Sequence, residues 1–417
     1  MTPTPRLFAL IFLAFISARL LVGWLGYRGD RSPEARARAL EHFSEESIDA
    51  GAAYHRAGFG VALSYFLLAQ VALLAFMTTG LSRRLADLCL QWAGGRLWLQ
   101  TVFFLSIALT AAWLATLPFN YYLGHVLEGR FGFSRQSAGG WMAFRLKRAM
   151  VSLATALLVG SIGYALVRRF PRAWPAIVPF GVLAMQFGLT FLHPRLVMPL
   201  FHDIRPLDDP ATLEAVTDVA HRAGVEIGRV RVIDAGRYSA HTNAFFIGFG
   251  KFKDIYLYDT LVEGRTPEEV ASTFAHEAGH WTRNHVAKGI ALASAGTILA
   301  CLLLYFGFPV LARAPFLKIG PIGDVASLPM LAMLASVAGF LTAPVVNTVS
   351  RNFEREADRI SLELTGSPEI YLSGFRKLAE ENLSFLTPHP LVVAWRHTHP
   401  PIVERLQAAR DAVQIAP

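Results

Sequence analysis

The sequence predicts a mainly helical, polytopic membrane protein: about seven transmembrane helices, with an α+β water-facing domain split around the last two of them. Three observations carry that expectation. The 417-residue chain is 53% hydrophobic and only 17% charged, with a mean hydropathy of +0.39, whereas soluble domains carry about 25% charged residues. Its apolar residues are gathered into runs of bilayer length. Its polar residues collect in two long segments, 201–287 and 350–417, that flank the last two runs.

Runs of about 20 residues, enough to cross a bilayer, read at Leu7 to Leu25, Val61 to Thr79, Leu97 to Phe119, Met150 to Val167, Ala176 to Leu192, Ile290 to Leu311 and Leu328 to Val346. Residues 1–200 are thus expected to form a membrane domain of about five helices, and 288–349 a transmembrane hairpin. Arg19 interrupts the first run and is expected to snorkel or face the bundle. Ile16-Ser17-Ala18 also looks like a signal-peptidase site, so a cleaved leader stands as the alternative to a retained helix.

With 30 Phe and 8 Trp the chain cannot remain unfolded in water, which excludes a disordered protein. Only two cysteines are present, Cys89 and Cys301, so neither a disulfide scaffold nor a Cys-rich zinc module is available. The net charge of +8 comes mostly from arginines flanking apolar runs. That placement points to a lipid bilayer, with no nucleic-acid partner. Arg and Lys are more abundant on the loops that share a side with the two polar segments. The positive-inside rule then puts those segments in the cytoplasm and the N-terminus on the opposite side.

In the first polar segment, Val230 to Asp234 alternates like a strand. Ala244 to Phe249, Gly250-Lys251-Phe252-Lys253 and Asp254 to Tyr258 read as a hairpin. Thr266-Pro267-Glu268-Glu269 then announces a helix: Thr266 is a good N-cap, Pro267 suits the first turn, and Glu269 completes a capping box. The helix is expected to reach about His285.

That helix carries His276-Glu277-Ala278-Gly279-His280. Two histidines four apart project from one helical face and can share a tetrahedral zinc ion, while Glu277 can polarise a water on the metal. This is the HExxH arrangement of zinc peptidases. A catalytic zinc needs three protein ligands. A third histidine at 286 is missing, since Val286 stands there, and His285 reads as a plain surface residue. A carboxylate from elsewhere must serve.

The second polar segment offers Glu354, Glu356 and Asp358 beside an apolar stripe of Phe353, Ala357, Ile360 and Leu364. Glu354 and Glu356 point about 200° apart on a helix, so one alone can face the metal. Glu354 shares a flank with Asp358, which could hydrogen-bond a ligand histidine. Glu356 is then expected to be a boundary residue whose loss leaves metal and activity intact.

In these motifs the chain resembles the Ste24-type CAAX prenyl proteases, integral-membrane zinc metallopeptidases of clan M48. The resemblance lies in Leu117-Pro118-Phe119, Glu128 to Phe133, Pro199-Leu200-Phe201, Asn243-Ala244-Phe245, the HExxH helix, Ser350-Arg351 with Glu354 and Ala357-Asp358, His399-Pro400-Pro401 and Glu404-Arg405-Leu406. It implies a zincin-like peptidase domain split around spans six and seven, with one Zn²⁺ per chain. By that resemblance His276, His280 and Glu354 are the metal ligands, Glu277 the general base and Asp358 the acid behind a ligand. His399 and Arg405 would lie beside the zinc, where either could stabilise an oxyanion. Asn243, Ala244 and Phe245 would form the edge strand that holds substrate backbone. The family also implies a ring of seven helices around a water-filled chamber, and cleavage near the C-terminus of prenylated Cys-a-a-X peptides.

The expected partners are therefore a peptide or protein, prenylated or not, and the bilayer; oligomeric state is open. Two other readings remain beside CaaX processing. One is a quality-control protease without prenyl specificity, and the other a non-enzymatic zinc-containing membrane protein. The latter would place its polar groups inside the spans, whereas here they abut them.

Overall fold

The computed structural model describes residues 4–249 and 252–415. Among these, seven helices are long and apolar enough to cross a membrane: Pro5–Arg28, Glu45–Thr78, Leu97–Arg130, Ala138–Arg169, Trp174–Leu200, His285–Ala312 and Val325–Thr365. Each expected run falls on one of them. In six of the seven, the most apolar window is only 6–11% buried by protein, so these faces need a bilayer to leave water. The protein is an integral, multi-pass membrane protein. Arg19 lies with its guanidinium 5.3 Å from the Phe66 ring, facing the neighbouring span.

Several helices are longer than the roughly 20 residues that cross a bilayer, and the third and seventh continue through an internal proline, Pro118 and Pro344 respectively. The seventh span is a single helix from Leu328 to Thr365, 38 residues long. It carries Glu354 and Asp358 on the same continuous helix that crosses the membrane. The third continues through Pro118 and a π-helical turn at Tyr122–Leu127 to Arg130.

The water-facing part contains a four-stranded sheet: β1 (Ile204–Pro206), β2 (Arg229–Ile233), β3 (Ala244–Phe249) and β4 (Phe252–Tyr258). The strand order is β1-β2-β4-β3, with β2 parallel to β4 and the other neighbours antiparallel. β3 is therefore an edge. The hairpin expected over 244–258 forms, but β4 starts two residues early, at Phe252, because ladder pairing extends to the turn. Gly250 and Lys251, expected in that turn, lie outside the described residues.

One face of the sheet is covered by the helices Pro210–Arg222 and Pro267–Thr282. Val232, Ile255 and Leu257 from the strands meet Val216, Val219, Phe274 and Ala278 from the helices. Each of the larger side chains contributes about 1.5–3 kcal/mol on burial. A second core joins the start of the second span and the residues just before it to the C-terminal helices, with Phe43 and Ile48 packed among Tyr371, Phe375 and Leu406.

The Pro267–Thr282 helix begins with the expected capping box, Thr266 and Glu269 answering each other's backbone N–H. Glu269 is buried, and its carboxylate also accepts from Lys377 Nζ at 2.7 Å and Ser373 Oγ at 2.7 Å. The helix stops at Thr282, earlier than expected. Asn284 adopts φ 56°, a left-handed conformation that asparagine tolerates, and His285 starts the next helix.

The HExxH helix crosses the seventh span at small residues. A Cβ built on Gly279 would lie 2.8 Å from the Ala357 Cα and 3.0 Å from its carbonyl oxygen, and nearby Ser361 Oγ donates to the Ser272 carbonyl at 3.0 Å. Gly279→Ala is therefore expected to force the two helices apart and cost about 1–3 kcal/mol, as overpacking does. Thermal unfolding of the variant in detergent measures this; a melting temperature equal to wild type contradicts the close crossing.

Candidate metal centre

The crossing at Gly279 brings three potential ligands together. One donor atom each from His276, His280 and Glu354 lies within 4.8 Å of the others. His276 Nε2 is 3.3 Å from Glu354 Oε2, and His280 Nε2 is 3.4 Å from Glu354 Oε1. The two Nε2 atoms face each other at 3.3 Å.

Two features of these atoms fit a cation. Glu354 Oε2 is buried without a hydrogen-bond partner, and a carboxylate left so is costly. On His276, the opposite ring nitrogen Nδ1 is 2.9 Å from Asp358 Oδ1. A carboxylate only accepts, so Nδ1 holds its proton, and Nε2 is the nitrogen left to give a lone pair to a cation. Burial opposes a charge on His276, yet the carboxylates of Asp358 and Glu354 on either side of the ring outweigh it and push its pKa up to about 9. The acids around this imidazole thus hold positive charge at the place where a divalent ion would supply it. Imidazole and carboxylate donors are the set that zinc uses in hydrolytic sites.

Glu277 lies half-buried on the wall of a cleft of about 530 Å³ that meets the cluster at His276. Burial raises its pKa above the ordinary glutamate value, partly offset by His276 and His280. A carboxylate so placed is a stronger base than one in water. It is not in the three-residue cluster.

His399 stands across the cleft, its Nε2 3.4 Å from Glu354 Oε2 and its side chain largely open to water. Arg405 is buried and directs its guanidinium to Asp358, with Nε 2.9 Å from Oδ2 and Nη2 donating to Oδ1. Its guanidinium also lies 4.2 Å from the Phe375 ring centroid. Asp358 answers this charge and holds the guanidinium beside His276, on the wall of the cleft.

The free edge of β3 borders the same cleft through Asn243 and Ala244. Tyr258 N–H donates to the Asn243 carbonyl at 3.0 Å, so by strand alternation Ala244 and Phe246 turn their main-chain groups outward. The Asn243 side chain accepts from the Ala244 N–H at 2.9 Å. The Phe245 side chain is elsewhere, stacked on Tyr256 at 5.6 Å on the other face of the sheet.

Sequence reasoning missed two neighbours. His285, expected on the surface, is only 4% exposed and lies 3.0 Å from His280, Nδ1 to Nδ1. Glu356, expected at a boundary, lies 2.9 Å from His285 Nε2 and 3.4 Å from Arg283 Nε. The signal for both was Asn284, whose tolerance of the left-handed region lets the chain turn back beside the motif.

Residues 206–413 match the family model described as peptidase family M48, and residues 28–203 match that of the CAAX prenyl protease N-terminal region with five membrane helices. The chain is similar to the CAAX prenyl protease 1 homologue of Arabidopsis thaliana, 32% identical over 322 residues, which span 74% of this chain and 73% of that one. It is also similar to CAAX prenyl protease 1 of Saccharomyces cerevisiae, 28% identical over 74% of this chain and 72% of that one. An uncharacterized metalloprotease of Bacillus subtilis, YhfN, is 29% identical over 84% of this chain and 81% of its own. Among solved structures, the crystal structure of S. mikatae Ste24p matches with a TM-score of 0.83 over 98% of this chain and 100% of that one, at 24% identity. The two share a fold.

Proposed function

Since the chain belongs to peptidase family M48, in its Ste24-like CAAX prenyl protease branch, we propose that this membrane metallopeptidase uses one zinc ion per chain to cleave peptides ending in a prenylated Cys-a-a-X sequence. The observation that carries the zinc assignment is the placement of Glu354 opposite the HExxH pair, with a buried carboxylate oxygen lacking any hydrogen bond.

His276, His280 and Glu354 would hold the metal. When bound, zinc supplies a Lewis acid that polarises the scissile carbonyl and brings the pKa of a water toward neutrality. Glu277 takes the proton that this water gives up and delivers it to the leaving amine, as a carboxylate with a raised pKa suits. His399, open to the cleft, donates to the developing oxyanion. Arg405 acts through Asp358, which fixes the tautomer of His276. The edge of β3, from Asn243 through Phe245, pairs with substrate backbone as an added strand would. Ala244 and Phe246 offer the outward groups.

Segments 201–287 and 350–417 form one peptidase domain around the hairpin 288–349, and residues 1–200 form the membrane domain. Both peptidase segments lie on the cytoplasmic side, supported by the arginine-rich loops on that side. Protease accessibility in oriented vesicles is expected to find Phe201 to Lys288 and Ser350 to Pro417 on one face. Cleavage of the two segments from opposite faces contradicts the single domain, and cleavage of both from outside contradicts the orientation.

The substrate is tested in detergent with a farnesylated CaaX peptide and its unprenylated twin. The farnesylated peptide is expected to be cleaved with a kcat/KM at least ~10-fold higher, equivalent to about 1.4 kcal/mol of transition-state binding to the lipid. A zinc chelator should abolish both reactions. Equal cleavage of the twins would replace the CaaX assignment with a quality-control protease, and cleavage that survives chelation would contradict the zinc mechanism.

A further inference from the structure

His285 and Glu356 lie against the metal cluster and take no part in the chemistry above. His285 is the first residue of the sixth-span helix, brought back toward the HExxH helix by the left-handed turn at Asn284. Its ring stacks on Phe353, centroids 4.3 Å apart and planes within 10°. Packing therefore fixes which way its two nitrogens point. One of them, Nδ1, lies 3.0 Å from His280 Nδ1; the other, Nε2, lies 2.9 Å from Glu356 Oε2.

The hydrogen-bond partners determine where the protons sit. Glu356 only accepts, so His285 Nε2 donates to it. In a neutral imidazole the remaining nitrogen is an acceptor, so His285 Nδ1 takes its hydrogen bond from His280 Nδ1–H. That leaves His280 with a bare Nε2, the atom 3.4 Å from Glu354 Oε1. On the other side of the cluster Asp358 does the same for His276 directly.

We infer that His285 and Glu356 are positioning residues for the metal, a two-membered arm that holds His280 in the tautomer and orientation a ligand needs. One stretch of the seventh-span helix then serves the whole site. Glu354 faces the metal, Asp358 steadies one histidine directly, and Glu356, about 200° round the helix from Glu354, steadies the other through His285. The inference rests on the reading of His280 as a ligand.

The test uses full-length protein in detergent and reads zinc affinity by competition with a chelator of known strength. His285→Phe keeps a ring to stack on Phe353 and removes the acceptor; it should bind zinc about 10–100-fold more weakly, the usual cost of losing a partner behind a ligand. His285→Asn puts an amide oxygen near the lost Nδ1, since both atoms are bonded to Cγ, and should recover most of that affinity. Glu356→Ala, at a partly exposed position, should also weaken zinc. Its effect should vanish when added to His285→Phe, because the two act as one unit.

Wild-type zinc affinity in either His285→Phe or Glu356→Ala overturns the inference. So does full additivity of the two. If His285→Phe does not fold, the affinity of Glu356→Ala decides by itself. His280→Ala separates the two levels of the argument: undiminished zinc binding there removes His280 from the ligand set and with it the reading of the site, whereas loss of zinc there beside unchanged affinity in His285→Phe removes the arm alone.

Discussion

Gly279 and Ala357 touch where the HExxH helix crosses the seventh span, and a methyl group on Gly279 would come within 2.8 Å of the Ala357 Cα. Everything in the metal cluster follows from that approach. Larger side chains at this crossing would push the helices apart and hold the carboxylates away from the imidazoles. Here the contact residues are small, so Glu354 reaches both histidines, and the Ser361 to Ser272 hydrogen bond closes the same crossing from the other side. Two segments far apart in sequence thereby become one site, and the hairpin of spans six and seven is the connection that lets them meet.

Much of this was legible in the sequence. The seven spans were readable because the bilayer demands unbroken apolar length, which composition alone reveals. The HExxH helix was readable because its start is written locally, in the capping box of Thr266 and Glu269, and its chemistry in a four-residue spacing. The less legible features depend on tertiary geometry. His285 looked like a surface residue because its burial arises from the turn at Asn284 and the ring of Phe353. The pairing of Arg405 with Asp358 was hidden too, because the two are far apart in sequence and meet only in the fold. Strand parity was likewise hidden: which of residues 243–246 turns outward depends on the partner strand, since a shift of one residue exchanges the two sides.

Charge and burial are balanced across the site by pairs of opposite chemistry. Asp358 is matched by Arg405, Glu356 by His285 and Arg283, and Glu269 by Lys377. Glu354 is different, since one of its buried oxygens has no hydrogen bond. A buried carboxylate without a full partner set is costly enough that a cation is its natural complement. The site is thus arranged so that the folded protein, and not the metal alone, sets the geometry of the ligands.

The most direct test of this account is the zinc content of two purified variants measured side by side with wild type. Glu354→Ala removes a ligand and should lose most of its zinc. Glu277→Ala removes a base that touches water and not metal, and it should keep wild-type zinc while losing turnover. A Glu354→Ala protein with its full complement of zinc, or a Glu277→Ala protein without it, would contradict the assignment of these two carboxylates.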